Sequence, residues 1–174
     1  MPSFPTFTEV WEEYQFLADV LESARGIAID APEAFAFQPG DNVRRRFADA
    51  AQELDQAFTL TLFAAIEAGV RTHFDDALDR REPQWLAVRA QALHQRFEDR
   101  VRFDDILDEW KNCPSAPPKF GDAIGELKQH YRRRHWLAHG RHFADRSGRP
   151  DADPDTVRAA ADAAKRLVPD FPIS

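Results

Sequence analysis

The chain has 174 residues, 23 of them Lys or Arg and 30 Asp or Glu, for a formal net charge of −7. That length suits a single domain over residues 1–174, and 43% hydrophobic with 30% charged residues is a globular composition without a disorder signature. The lone Cys113 excludes an internal disulfide and a multi-cysteine zinc site, and no apolar run reaches the ~18 residues of a membrane span.

At its start the chain reads Met1-Pro2-Ser3-Phe4-Pro5, without the basic and apolar parts of a signal peptide, which predicts a cytoplasmic protein. Val10, Trp11, Tyr14, Leu17, Ala18 and Leu21 recur at helical spacing and predict a first helix over about 8–24, with Thr8 as its N-cap. Pro32 and Pro39-Gly40 mark a loop. Asp41 or Asn42 would cap a second, long helix, with a stripe Val43, Phe47, Leu54, Phe58, Leu62, Ile66, Val70, Phe74 and Leu78. It should end near Arg80, before Pro83, with a bend at Thr59 and Thr61.

Trp85, Leu86, Val88, Leu93 and Phe97 predict a third helix, and Phe103, Ile106, Leu107 and Trp110 a short fourth. Residues 112–118 are a proline-rich loop. A fifth helix carries Phe120, Ile124, Leu127, Tyr131 and Leu137, and Asp153-Pro154 opens a last helix that stops at Pro169. No segment alternates with period two, so the expected fold is an all-α bundle without internal repeats.

Charge is unevenly spread. Residues 128–149 hold seven positive side chains (Lys128, Arg132, Arg133, Arg134, Arg141, Arg146 and Arg149) and one negative, Asp145. The window therefore carries +6, the remainder of the −7 chain −13, and four of the six histidines lie inside it. An acidic body argues against indiscriminate coating of nucleic acid, whereas a local basic, imidazole-rich patch points to an anion site. Gly140 suits a helix C-terminus, placing His139 in the last turn. At ~100° per residue, Arg134 and His139 lie about 140° apart around a straight helix. They converge only if the helix unwinds there or a second chain supplies one of the two groups.

The run Arg134-His135-Trp136-Leu137-Ala138-His139-Gly140 resembles the signature of the HEPN superfamily, whose common form is Arg-Asn-x-Leu-Ala-His-Gly, with His here in place of Asn. Upstream, Phe63-Ala-Ala-Ile-Glu67-Ala-Gly-Val-Arg71 looks like the long family helix that carries an acidic residue and, one turn later, a basic one. The resemblance implies a HEPN-like bundle of about five to six helices acting as a metal-independent RNA endonuclease. It further implies a homodimer with two motifs facing one cleft, and no cofactor. The family often supplies the toxic half of a toxin–antitoxin or phage-defence system, so the implied partners are RNA, a second copy and a cognate antitoxin protein.

The residue types fit that chemistry on their own terms. Attack of a ribose 2′-OH on the adjacent phosphodiester needs a base, an acid and positive charge. His titrates near neutrality and Arg presents a fixed fork of donors to phosphate. His139 is then the acid–base group, Arg134 the transition-state clamp, and His135 an orienting or proton-sharing group. Arg132, Arg133 and Arg141 would hold flanking phosphates, and Tyr131 or Trp136 could stack on a base. Glu67 and Arg71 are either an ordinary i, i+4 salt bridge or a support behind the site. Basic residues near a helix C-terminus also complement its dipole.

Metal binding is the competing use of the histidines. His135 and His139 have i, i+4 spacing, with His130 and His142 near. Position 136 is Trp, however, where zinc hydrolases need a carboxylate base, and three flanking arginines repel a cation. Asp75-Asp76 and Asp104-Asp105 are adjacent pairs that diverge around a helix and read as surface and cap residues. Glycine-rich phosphate loops and a nucleophile elbow are missing, which excludes P-loop nucleotide hydrolases and α/β-hydrolases. The rival to a nuclease is a non-catalytic HEPN-like module that binds a nucleotide, an RNA or a protein.

Overall fold

A computed structural model describes residues 5–31, 42–80, 84–138, 153–168 and 171–173, with the backbone alone at 80, 84, 85, 99 and 133–138. Among these, six α-helices and no strand are found: α1 (Phe7–Asp30), α2 (Asn42–Arg80), α3 (Gln84–Phe97), α4 (Phe103–Lys111), α5 (Phe120–Ala138) and α6 (Pro154–Leu167). The all-α bundle is therefore the fold. None of the described helices is long and apolar enough to cross a membrane.

Two boundaries differ from expectation. The N-cap of α1 is Thr6 rather than Thr8: its hydroxyl accepts from the Glu9 N–H at 3.2 Å while its own N–H donates to Glu9 Oε2 at 2.7 Å. This is a capping box, and it holds the Glu9 carboxyl below its ordinary pKa, first through the bond from the Thr6 backbone. The helix then runs on to Asp30 and stops ahead of Pro32. In α2, Asn42 is already helical, Asp41 lies outside the described residues, and the helix is unbroken through Thr59 and Thr61. Thr61 returns its hydroxyl to the Ala57 carbonyl at 3.0 Å, so it satisfies itself without ending the helix.

α1 and α2 form an antiparallel pair: Tyr14 donates to Asp55 Oδ1 at 2.9 Å near one end, and Ala28 packs with Val43 and Phe47 at the other. Burial first, and then the Asp55 bond, push the Tyr14 phenol well above its ordinary pKa. The second half of α2 is the axis of the main core, burying Leu62, Phe63, Ile66, Val70, Phe74 and Ala77. Around it pack Phe103, Ile106, Leu107 and Trp110 of α4, Phe120, Ile124 and Leu127 of α5, and the small face Val157, Ala160, Ala161 and Ala164 of α6. Each large side chain so buried contributes about 1.5–3 kcal/mol. α3 turns Leu86, Ala87, Ala90 and Leu93 inward, whereas Val88 is exposed, contrary to its place in the expected stripe.

Asp153 caps α6 by accepting from the Thr156 N–H at 2.7 Å, with Pro154 as the first helical residue. Beyond α6, Phe171 and Ile173 are buried, and Lys165 Nζ donates to the Ile173 carbonyl. This segment lies against α2 at Gly69, where a Cβ would fall 2.0 Å from the Pro172 carbonyl oxygen.

Candidate functional site

The packing of α4 and α5 against the middle of α2 leaves a cleft of about 710 Å³. Its walls bring together Arg71 of α2, Arg100 and Arg102 from the turn before α4, Asp104, Asp105 and Asp108 of α4, and Tyr131 and Arg132 of α5. Four guanidinium groups and three carboxylates thus share one concavity beside an aromatic ring.

Most of these groups are held from behind. Arg71 is fixed within α2 by Glu67, whose Oε1 accepts from Nη2 at 3.0 Å and from Nε at 3.2 Å. Its third guanidinium nitrogen, Nη1, donates to the Val101 carbonyl at 3.3 Å. The expected Glu67–Arg71 pair therefore exists, and Arg71 also crosses to the turn that carries Arg100 and Arg102. That turn is a 3₁₀ segment, Glu98–Arg100, with Glu98 at φ 52°, a left-handed conformation uncommon for a residue with a side chain.

On α4, Asp105 accepts from the Arg102 N–H at 3.0 Å and so closes the first turn. Asp104 and Asp108, one turn apart, both meet Lys128 of α5: its Nζ is 3.3 Å from Asp104 Oδ1 and 2.5 Å from Asp108 Oδ2. Lys128 is only 6% exposed, so its charge is taken up by these two acids and does not belong to an open basic patch. The two carboxylates keep a shared charge of −1 and their remaining acceptor capacity. Tyr131 is half-buried, edge-on to Phe103 (ring centroids 4.7 Å apart) and to Phe63 (5.9 Å).

His130 occupies the opposite side of α5 from Lys128, since two residues advance a helix by ~200°. It is 3% exposed and its Nδ1 has no hydrogen-bond partner. Burial lowers its pKa, opposed by the negative charges of Glu126 and Asp153. A buried imidazole in that condition is a neutral core residue. No three His, Cys, Asp or Glu side chains among the described residues are placed to hold a metal ion.

The structure thus brings Arg71, Tyr131 and Arg132 to one cleft, with Glu67 behind it. Arg133, Arg134, His135 and Trp136 lie on the last turns of the α5 backbone, immediately beyond Arg132, and their side chains lie outside the described residues. His139, Gly140, Arg141, His142 and Phe143 lie outside them altogether. Sequence reasoning missed Arg100 and Arg102, whose only signal is an Arg-x-Arg repeat in a turn, and the acids of α4 as lining groups. Comparison of the chain with protein-family models, with curated proteins and with solved structures finds no match.

Proposed function

We propose that the protein is a metal-independent endoribonuclease of HEPN type, with the strand lying in the arginine-lined cleft and cut at the end of α5. The observation that supports this reading is the convergence of Arg71, Arg100, Arg102 and Arg132 from three parts of the chain on one cleft. That cleft opens beside the helix turn that leads into Arg134-His135 and on to His139. A guanidinium group presents a fork of donors that meets phosphate oxygens bidentately.

In the proposed reaction the 2′-oxygen of one ribose attacks the adjacent phosphorus, so that the O2′–P bond forms and the P–O5′ bond breaks. A histidine takes the 2′-hydroxyl proton, and a protonated histidine gives one to the departing 5′-oxygen. His139 is assigned the acid–base role, Arg134 the clamp on the phosphorane and His135 the orienting role, with Arg133 and Arg141 on flanking phosphates. A second copy of the chain would supply the second histidine set across a two-fold axis, and two-fold dimers are the commonest oligomers. In a toxin–antitoxin setting a cognate protein would occlude this cleft.

The test is cleavage of single-stranded RNA by the wild type, Arg134→Ala and His139→Ala, all verified as folded. Each substitution should reduce the rate ~10²–10⁴-fold. Cleavage should survive excess EDTA, spare DNA and leave 2′,3′-cyclic or 3′-phosphate ends. Folded variants that cut as fast as wild type would sink the assignment, and a wild type that binds RNA without cutting it would make the chain a binding module.

A further inference from the structure

The cleft is more than a basic trough. A site that gripped only backbone phosphates would gain nothing from Asp104 and Asp108, because carboxylates repel phosphate. Here they line the cleft and are kept there by a buried lysine. Lys128 halves their joint charge, which reduces the repulsion, and leaves them able to accept further hydrogen bonds. Carboxylate acceptors therefore face the same space as the donors of Arg100, Arg102 and Arg132, with the half-buried ring of Tyr131 beside them.

Among the four RNA bases, one matches that mixture on two adjacent edges. Guanine offers two neighbouring donors, N1–H and N2–H₂, which a carboxylate accepts side by side. It also offers two neighbouring acceptors, O6 and N7, which a guanidinium meets bidentately. Uracil presents one N–H flanked by two carbonyl oxygens, so a carboxylate there meets repulsion on both sides. Adenine and cytosine each put an acceptor nitrogen next to their amino group, which leaves one carboxylate oxygen without a donor.

The placement on α4 suits such a base. Arg102 sits just before the first turn, and Asp104 and Asp108 follow one turn apart on one face, so acceptor and donor groups lie within ~9 Å along one rigid helix. Arg71 is committed to Glu67 and to the Val101 carbonyl, which leaves Arg100, Arg102 and Arg132 for the ligand. We infer that this cleft reads a guanine of the bound RNA strand, with Asp108 on its N1–H and N2–H₂ edge and Arg102 on its O6 and N7 edge. The remaining arginines then hold the adjoining phosphates, and Tyr131 offers its ring for stacking. The inference rests on the reading of the cleft as an RNA site, but not on catalysis.

The experiment is equilibrium binding, by fluorescence anisotropy, of the full chain to uridine heptamers that carry guanine, inosine (hypoxanthine base), adenine or uracil at the central position. Ribose 2′-O-methylation removes the nucleophile, so the wild type binds without cutting. The guanine strand should bind at least tenfold more tightly than the all-uracil strand, with inosine between them because it lacks only the N2 donor. Asp108→Asn should bring the ratio of guanine to uracil affinity to within about twofold of one, whatever the lost charge does to the affinity for both strands; Lys128 keeps Asp104 as its partner in that variant. Equal affinity for all four strands would overturn base recognition while the RNA reading stands. A preference for adenine or uracil would overturn it as well. Failure of every strand to bind would overturn both.

Discussion

Lys128 and His130 lie two residues apart on α5, and both are buried, yet the fold treats their charges in opposite ways. Lys128 faces α4 and lies between two carboxylates; His130 faces away from them, with an unpartnered Nδ1 and a lowered pKa. One side of the helix thus tolerates charge and opens on a polar cleft, whereas the other is core. The difference shows that the basic window of the sequence is not a single patch. A cation pays for its burial only where the neighbouring helix brings an acid, and α4 brings two.

The largest effect expected from this contrast follows removal of both acids. Asp104→Ala with Asp108→Ala strands the Lys128 ammonium in a site where it is 6% exposed, and should cost about 3–5 kcal/mol in denaturant unfolding. Lys128→Met is the milder change: it leaves two carboxylates whose side chains are 44% and 55% exposed, at about 1 kcal/mol. Equal costs for the two variants would mean that the lysine is not the buried member of the network.

A smaller effect probes the other side of the helix. The unfolded chain protonates His130 near pH 6.5, while the folded chain resists the proton because burial lowers that pKa. Its contribution to stability is therefore intact above pH 6.5 and is lost as the pH falls below it, at up to about 1.4 kcal/mol per pH unit. His130→Phe should abolish that part of the acid sensitivity between pH 6.5 and 5. Wild type and variant losing stability in parallel over that window would show that His130 is not the group responsible.

The smallest effect concerns Arg132, which is exposed on the cleft wall. Arg132→Ala should leave stability within about 0.5 kcal/mol. On the proposed reading of the cleft as an RNA site, it should also lower the salt dependence of binding by the slope of about one phosphate contact. An unchanged slope would remove Arg132 from the strand's path.

Much of the fold is legible in the sequence. The helical stripes of α2 and α4, that of α5 as far as Tyr131, and the Asp153-Pro154 start of α6 follow from local rules of periodicity and capping, and the structure reproduces them. Thr6-Phe7-Thr8-Glu9 was equally local, but the first apolar repeat drew the cap two residues too late. The Glu67–Arg71 bond is likewise an i, i+4 contact. The cleft was not legible. Arg71, Arg102, Asp108 and Arg132 belong to three helices and a turn, and periodicity states which face of a helix is buried without stating which face of another it meets. For the same reason, adding up charge along 128–149 counted Lys128 with the arginines, although its partners lie on α4.

Gly69 gives the fold a different kind of constraint. With a hydrogen where every other amino acid has a carbon, the middle of α2 admits the Pro172 carbonyl directly against its backbone. Any side chain at position 69 would first have to lift the segment 171–173, and with it the buried Phe171 and Ile173. Substitution at this site is closed unless the tail changes in the same step. Two stretches from opposite halves of the sequence are thereby bound to vary together, so that variation in one is readable as a record of the other.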